Sequence, residues 1–182
     1  MSSTLRIVGF TGCLREKSYN RAALRTAQQL LPSHVELELL SLDDLPTFTP
    51  GQDESVAVRL LKEQIQHADA VLIATPEYKG LLPNVLKNAL RWLSQPAEAS
   101  VLAGKPVAIM GIGRQTGTAS EQQQLRHLLA TCQATLLEQP ELYIPSQDQQ
   151  FSDSGELTDE QTRQQIRALL DELVARVPVL VG

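Results

Sequence analysis

The sequence predicts an α/β fold: a doubly wound, three-layer sandwich in which a five-stranded parallel sheet carries helices on both faces. Three observations lead there. Short apolar runs at 5–10, 70–74 and 107–110 contain at most one charge each, as strands buried on both sides do. Segments with apolar residues at helical spacing separate these runs. The 182 residues suit a single domain (1–182) with a real core, and fall short of the roughly 250 that a closed eight-stranded α/β barrel needs.

In chain order, 5–10 gives the first strand, with Arg6 its one charge. A helix is predicted over about 20–31, where Ala23, Leu24, Ala27 and Leu31 share a stripe. Val35, Leu37 and Leu39 alternate with Glu36 and Glu38, the period-2 pattern of a strand wet on one face. Ala57, Leu60, Leu61, Ile65 and Ala68 make a second helical stripe ahead of the strand at 70–74. Pro83 is placed at the first position of a helix that buries Leu86, Ala89, Leu90 and Leu93. The strand at 107–110 leads through a glycine-bearing turn to a helix carrying Leu125, Leu128, Leu129 and Cys132. A final strand falls within 134–144, and 146–155 reads as a surface loop. The last helix opens on the capping box Thr158-x-x-Gln161 and buries Ile166, Leu169, Leu170 and Leu173. Five strand–helix units imply right-handed crossovers. The charged second strand fits an edge and the apolar strands the interior, which gives the order 2-1-3-4-5, the flavodoxin-like arrangement.

Composition narrows the function classes. Hydrophobic residues at 42% and charged residues at 20% describe an ordinary globule. A net charge of −5 offers no basic surface to nucleic acid or anionic membrane. No apolar run is long enough for a membrane span, and the first residues lack a signal-peptide stretch. Cys13 and Cys132 form neither a C-x-x-C motif nor a disulfide scaffold. A soluble, cytoplasmic protein is expected.

In open α/β sheets, ligands sit beyond the carboxyl ends of the strands. The segment 75–83, Thr-Pro-Glu-Tyr-Lys-Gly-Leu-Leu-Pro, occupies such a place. So does 11–20, which is not a Walker loop, because the second glycine is missing before Lys17 and Ser18. Nor does it carry the Cys-x5-Arg of a tyrosine-phosphatase loop, since the count from Cys13 reaches Tyr19. What it does offer is Arg15, Ser18, Asn20 and free backbone N–H groups at a helix start, a combination suited to a phosphate monoester. Ser18 or Asn20 also serves to cap that helix. A third turn, 111–117, has the look of a dinucleotide G-x-G-x-x-x-G, with Glu138 downstream as a candidate ribose acid. It lies in the fourth strand–helix unit rather than the first, and close approach of backbone to a ligand held by the other two loops is the favoured reading. His34, His67 and His127 have no partners that would make a triad, and no metal-ligand spacing occurs. Chemistry is expected to come from a cofactor.

These residues resemble the NAD(P)H-dependent FMN reductase family, which includes quinone, chromate and azo-dye reductases. Its phosphate loop, G-S-L-R-x-x-S-x-N, appears as Gly12, Cys13, Leu14, Arg15, Glu16, Lys17, Ser18, Tyr19 and Asn20. Its T-P-E-Y-N-x-x-x-P followed by L-K-N-A-L-x-W-L appears at 75–83 and 86–93, and its G-K-P-V at 104–107. The resemblance implies FMN, with its phosphate on residues 13–20 and its isoalloxazine edge against Pro76, Glu77, Tyr78, Lys79 and Gly80, and with Gly113 closing the other side. It implies two-electron, ping-pong chemistry in which NAD(P)H and then a quinone or similar small acceptor use one face of the flavin. It implies a homodimer or homotetramer, joined through the helix after the second loop. Three positions depart from the family pattern. Cys13 replaces a serine, Lys79 an asparagine, and Gly113 stands where serine is common. Lys79 is expected to favour an anionic reduced flavin or an anionic acceptor. Other readings are a flavodoxin-like electron carrier without turnover, against which the modest charge and single loop aromatic Tyr78 argue, and a dinucleotide-binding protein using 111–117.

Overall fold

The computed structural model describes residues 4–13, 15, 18–114 and 118–178. The strands are β1 (Leu5–Thr11), β2 (Val35–Leu39), β3 (Ala70–Ala74), β4 (Pro106–Gly113), β5 (Thr135–Leu136) and β6 (Leu142–Pro145). The helices are α1 (Tyr19–Leu30), α2 (Val56–His67), α3 (Asn84–Leu93), α4 (Ala119–Thr131) and α5 (Glu160–Arg176). All strand pairings are parallel, in the order β2-β1-β3-β4-β5 with β6 also on β4. The predicted α/β class and 2-1-3-4-5 order are therefore observed. The final strand comes in two pieces, because Pro140, which has no N–H to give a ladder, falls between them.

Side-chain alternation divides the core in two. Ile7, Leu72, Ala108, Met110 and Ile112 pack with Ala23, Leu24 and Ala27 of α1 and Ile166, Leu169, Leu170 and Leu173 of α5. Val8, Phe10, Val71, Ile73, Val107 and Ile109 pack on the other face with Leu61 and Ile65 of α2, Leu86, Ala89, Leu90 and Leu93 of α3, and Leu125 and Leu129 of α4. The edge strand β2 buries Val35 and Leu37 and exposes Glu36 and Glu38, with Glu38 3.6 Å from Arg6.

Local boundaries differ from the pattern in instructive ways. On α2 the buried stripe is Val58, Leu61 and Ile65, while Leu60 is exposed. Ser55, whose hydroxyl accepts from Val58 N, caps the helix start. Pro83 is the residue before α3 rather than its first. The α5 cap is Asp159, whose carboxylate accepts from Thr162 N at 2.7 Å and Thr162 Oγ1 at 2.6 Å. Thr158 Oγ1 donates instead to Gln150 O. The surface loop after β6 contains a 3-10 turn at Asp148–Gln150, and its Phe151 stacks on Tyr19 with centroids 4.1 Å apart.

Candidate functional site

The carboxyl ends of β1, β3 and β4 lie side by side, since Thr11 pairs with Ala74 and Ala74 with Met110. The segments 11–20 and 75–83 and the end of β4 at 110–113 touch one another pairwise. The first meets the second at Gly12, where an added Cβ would fall 2.8 Å from Leu86 Cγ and 3.2 Å from Pro83 Cβ. The first meets the third through Asn20, whose amide donates to Ile112 O and whose oxygen accepts from Ile112 N, both at 3.0 Å. The second meets the third at Gly113, where a Cβ would lie 2.6 Å from Glu77 Oε2, and through Thr75 N donating to Met110 O at 2.9 Å.

In the first segment Ser18 is the N-cap of α1; its hydroxyl accepts from Asn20 N and Arg21 N. Asn20 is buried and its side chain is committed to Ile112. Cys13 N donates to Thr11 Oγ1 at 3.2 Å, and Cys13 O accepts from Arg21 Nε. Arg15 is exposed and Tyr19 half-buried. Leu14, Glu16 and Lys17 lie outside the described residues.

In the second segment Pro76 and Glu77 are half-buried, Tyr78 is 60% exposed, and Lys79 is exposed. Lys79 (φ 53°) and Gly80 (φ 73°) are both left-handed, a conformation uncommon for lysine and ordinary for glycine. Sequence reasoning missed what holds them there. Glu121 of α4 accepts from Tyr78 N and Gly80 N through a single oxygen, Oε1, each at 2.9 Å. Ser120 Oγ and Gln124 Nε2 donate to Gly80 O, and Gln124 Oε1 accepts from Leu82 N. The only signal for this was a cluster of polar residues one helical turn apart, 120, 121 and 124, at a helix start.

The third segment begins later than expected. Gly111, Ile112 and Gly113 belong to β4 and pair with β6. Gly111 is required by close packing, because a Cβ there would sit 1.9 Å from Thr118 Oγ1 and 2.6 Å from Thr75 O. Gly113 makes room for Glu77. Glu138 follows β5, which pairs with Pro106 and Val107 at the start of β4, so it stands toward the opposite end of that strand from these glycines. Residues 115–117 lie outside the described residues.

Other candidates fall away from the site. His34, His67 and His127 are exposed. Cys132 is buried 4.0 Å from Leu90 O, and burial pushes its thiol above the ordinary value, the wrong direction for a nucleophile. No group of three metal-ligating side chains occurs among the described residues, and no described helix is long and apolar enough to cross a membrane. Asn88 and Trp92, prominent in the 86–93 motif, pin the 46–48 segment instead: both donate to Pro46 O, and Asn88 Oδ1 accepts from Phe48 N.

The donor set fits FMN. A capped N-terminus of a twelve-residue helix beside an exposed arginine answers a phosphate. A rigidly held turn with an exposed aromatic ring beside it provides a wall for a planar ring system.

Comparison with known proteins agrees with this arrangement. Residues 5–149 match the family model described as NADPH-dependent FMN reductase. An NAD(P)H-dependent FMN reductase of Pseudomonas aeruginosa is 38% identical over the full length of both chains. A 2-hydroxy-1,4-benzoquinone reductase of Burkholderia sp is 36% identical, covering 95% of this chain and 96% of that one. Among solved structures, the flavoenzyme NAD(P)H:(acceptor) oxidoreductase of Paracoccus denitrificans superposes with a TM-score of 0.87 at 31% identity, over 95% of this chain and 97% of that one. Two loops braced against each other and against the end of β4 on a 2-1-3-4-5 sheet, with a match over most of the chain, place this protein in the NADPH-dependent FMN reductase family.

Proposed function

We propose that this protein is an FMN-dependent NAD(P)H oxidoreductase that reduces quinones or similar small acceptors. The observation that carries the reading is the pairwise bracing of segments 11–20 and 75–83 with each other and with the end of β4, which leaves a capped helix end and an ordered turn on one sheet edge. Bound FMN would supply reversible two-electron chemistry, accepting reducing equivalents from NAD(P)H and passing them to the acceptor in alternate half-reactions.

The protein's own residues bind and orient. Ser18 and Arg15, with the α1 dipole behind them, hold the phosphate end. Pro76, Glu77, Tyr78, Lys79 and Gly80 form the wall at the ring end. Tyr78 presents a ring face on which an aromatic substrate can stack, and Lys79 presents a positive charge at the same turn. That charge favours acceptors that are anionic, such as an ionised hydroxyquinone, in keeping with the substrate named for the Burkholderia relative.

Assembly as a homodimer or homotetramer is part of this reading. The support is an open groove of about 870 Å³ between α3 and α4, lined by Lys87, Leu90, Arg91, His127 and Leu128 among others. A cytoplasmic location accompanies a cofactor supplied and reduced by soluble nicotinamide nucleotides.

The test is spectroscopic. Purified protein should be yellow, bleach under NADPH without oxygen, and regain its colour when a quinone is added. Bleaching that no quinone reverses at a useful rate would point to an electron carrier. Colourless protein that takes up no added FMN would overturn the proposal.

A further inference from the structure

The first turn of α4 holds a carboxylate that the fold alone does not require. Glu121 is 0% exposed. Its Oε1 takes both Tyr78 N and Gly80 N, while Oε2 has no hydrogen-bond partner among the described residues. A buried carboxylate left half-satisfied is costly, and an apolar residue of similar size would ordinarily be as stable or more so. The turn it grips is also unfavourable by itself, with Lys79 left-handed at φ 53°. Two N–H groups of one turn, on either side of the Lys79 N–H, that converge on one carboxyl oxygen form a backbone nest. Glu121 fills that nest from the protein side. The N–H between them, that of Lys79, has no acceptor among the described residues.

We propose that Glu121 is a positioning residue of the flavin site: it holds the Tyr78–Lys79–Gly80 turn in its left-handed form before FMN arrives, so that the ring meets a wall already built. Without it the turn relaxes toward ordinary backbone conformations, and the ordering moves into the binding step. The neighbouring Ser120 and Gln124 grip Gly80 O and Leu82 N. They hold the far end of the turn, whereas Glu121 alone holds the two N–H groups on either side of Lys79. This inference rests on the proposed use of FMN.

FMN dissociation is followed in the purified flavoprotein by recovery of free-flavin fluorescence, for the wild type, Glu121→Gln and Glu121→Ala. Glutamine keeps an acceptor oxygen at the same reach and should stay within about threefold of wild type, whereas alanine should weaken FMN about tenfold or more, or about 1.4 kcal/mol. Alanine at wild-type affinity would overturn the proposal. Glutamine as weak as alanine would also overturn it, by making charge rather than the paired acceptor the cause.

A second readout needs no variant. In flavin-stripped wild type, amide hydrogens of Tyr78 and Gly80 should exchange slowly and that of Lys79 fast; uniformly fast exchange of all three would count against the clamp. Wild type that binds no FMN would instead defeat the functional reading, and the exchange pattern would still report on the clamp.

Discussion

At Gly113 the place of a side chain is already taken. An added Cβ would lie 2.6 Å from Glu77 Oε2 and 2.7 Å from Glu77 Cβ, so Gly113→Ala must displace Glu77 within the 75–83 turn. Overpacking of this kind costs about 1–3 kcal/mol, and weaker FMN binding in a fluorescence titration is the expected sign. An alanine variant with unchanged affinity would show that Glu77 yields freely. Lys79 is separable by charge and by conformation. Lys79→Asn keeps a residue that tolerates the left-handed region while removing the cation, so thermal stability should hold. Were a bound ring to lie about 5 Å from such an exposed charge, Coulomb's law in a water-like dielectric would shift its two-electron potential by about 20 mV. A slightly lower flavin midpoint potential and a selective loss of kcat/KM for anionic over neutral quinones are expected; equal losses for both would discard the charge argument. Residue-level legibility was uneven here. The 11–20 and 75–83 segments stood out because their residue types are chemically unusual for strand-to-helix turns, and the structure places them side by side. Glu121 could not, because a side chain that bonds to backbone more than 40 residues away leaves no periodic trace.

The helices show where periodicity suffices and where it slips. The stripes of α3 and α5 came out as read, since Leu86, Ala89, Leu90, Leu93, Ile166, Leu169, Leu170 and Leu173 are all buried. On α2 the stripe was rotated, because Leu60 and Leu61 are equally apolar and it is packing against Val8, Phe10 and Val71 of the sheet that buries Leu61. On α5 the cap moved by one residue, because an aspartate carboxylate accepts two Thr162 hydrogens better than a threonine hydroxyl accepts one. Those two donors hold the Asp159 carboxyl below its ordinary value. The folded value lies under the unfolded one, so the cap's contribution is complete above about pH 4 and fades as the pH falls through the folded value. Asp159→Asn should flatten that acid limb: the difference in urea midpoint between wild type and variant should shrink from about pH 6 to pH 3. A difference that stays constant across this range would mean the carboxyl titrates alike in both states.

At the scale of the whole molecule, class and strand order were legible because alternation between two apolar faces is written into β1, β3 and β4 themselves. The division of the last strand was not, because β5 and β6 borrow their place from β4 and are too short to carry a pattern. The joint between halves was also hidden. Asn20 was read as a phosphate ligand or a cap, and its side chain spans 92 positions to hold both the N–H and the carbonyl of Ile112. Asn20→Ala would leave a buried N–H and a buried carbonyl unpaired, costing roughly 2–4 kcal/mol. For a chain of this size that lowers the thermal midpoint by about 5–15 °C, and FMN affinity should fall with it. A variant that melts like wild type would show that water replaces the amide.

The Asn20 brace also sets an order of events during synthesis. A nascent chain can wind α1 as soon as its residues leave the ribosome, but the partner peptide at Ile112 is made 92 residues later. Until that strand has been translated and has paired with β3, the buried Asn20 amide lacks the N–H and carbonyl it holds in the finished fold. On the proposed reading FMN would then load at the end of folding, onto a helix start fixed by a nearly finished sheet.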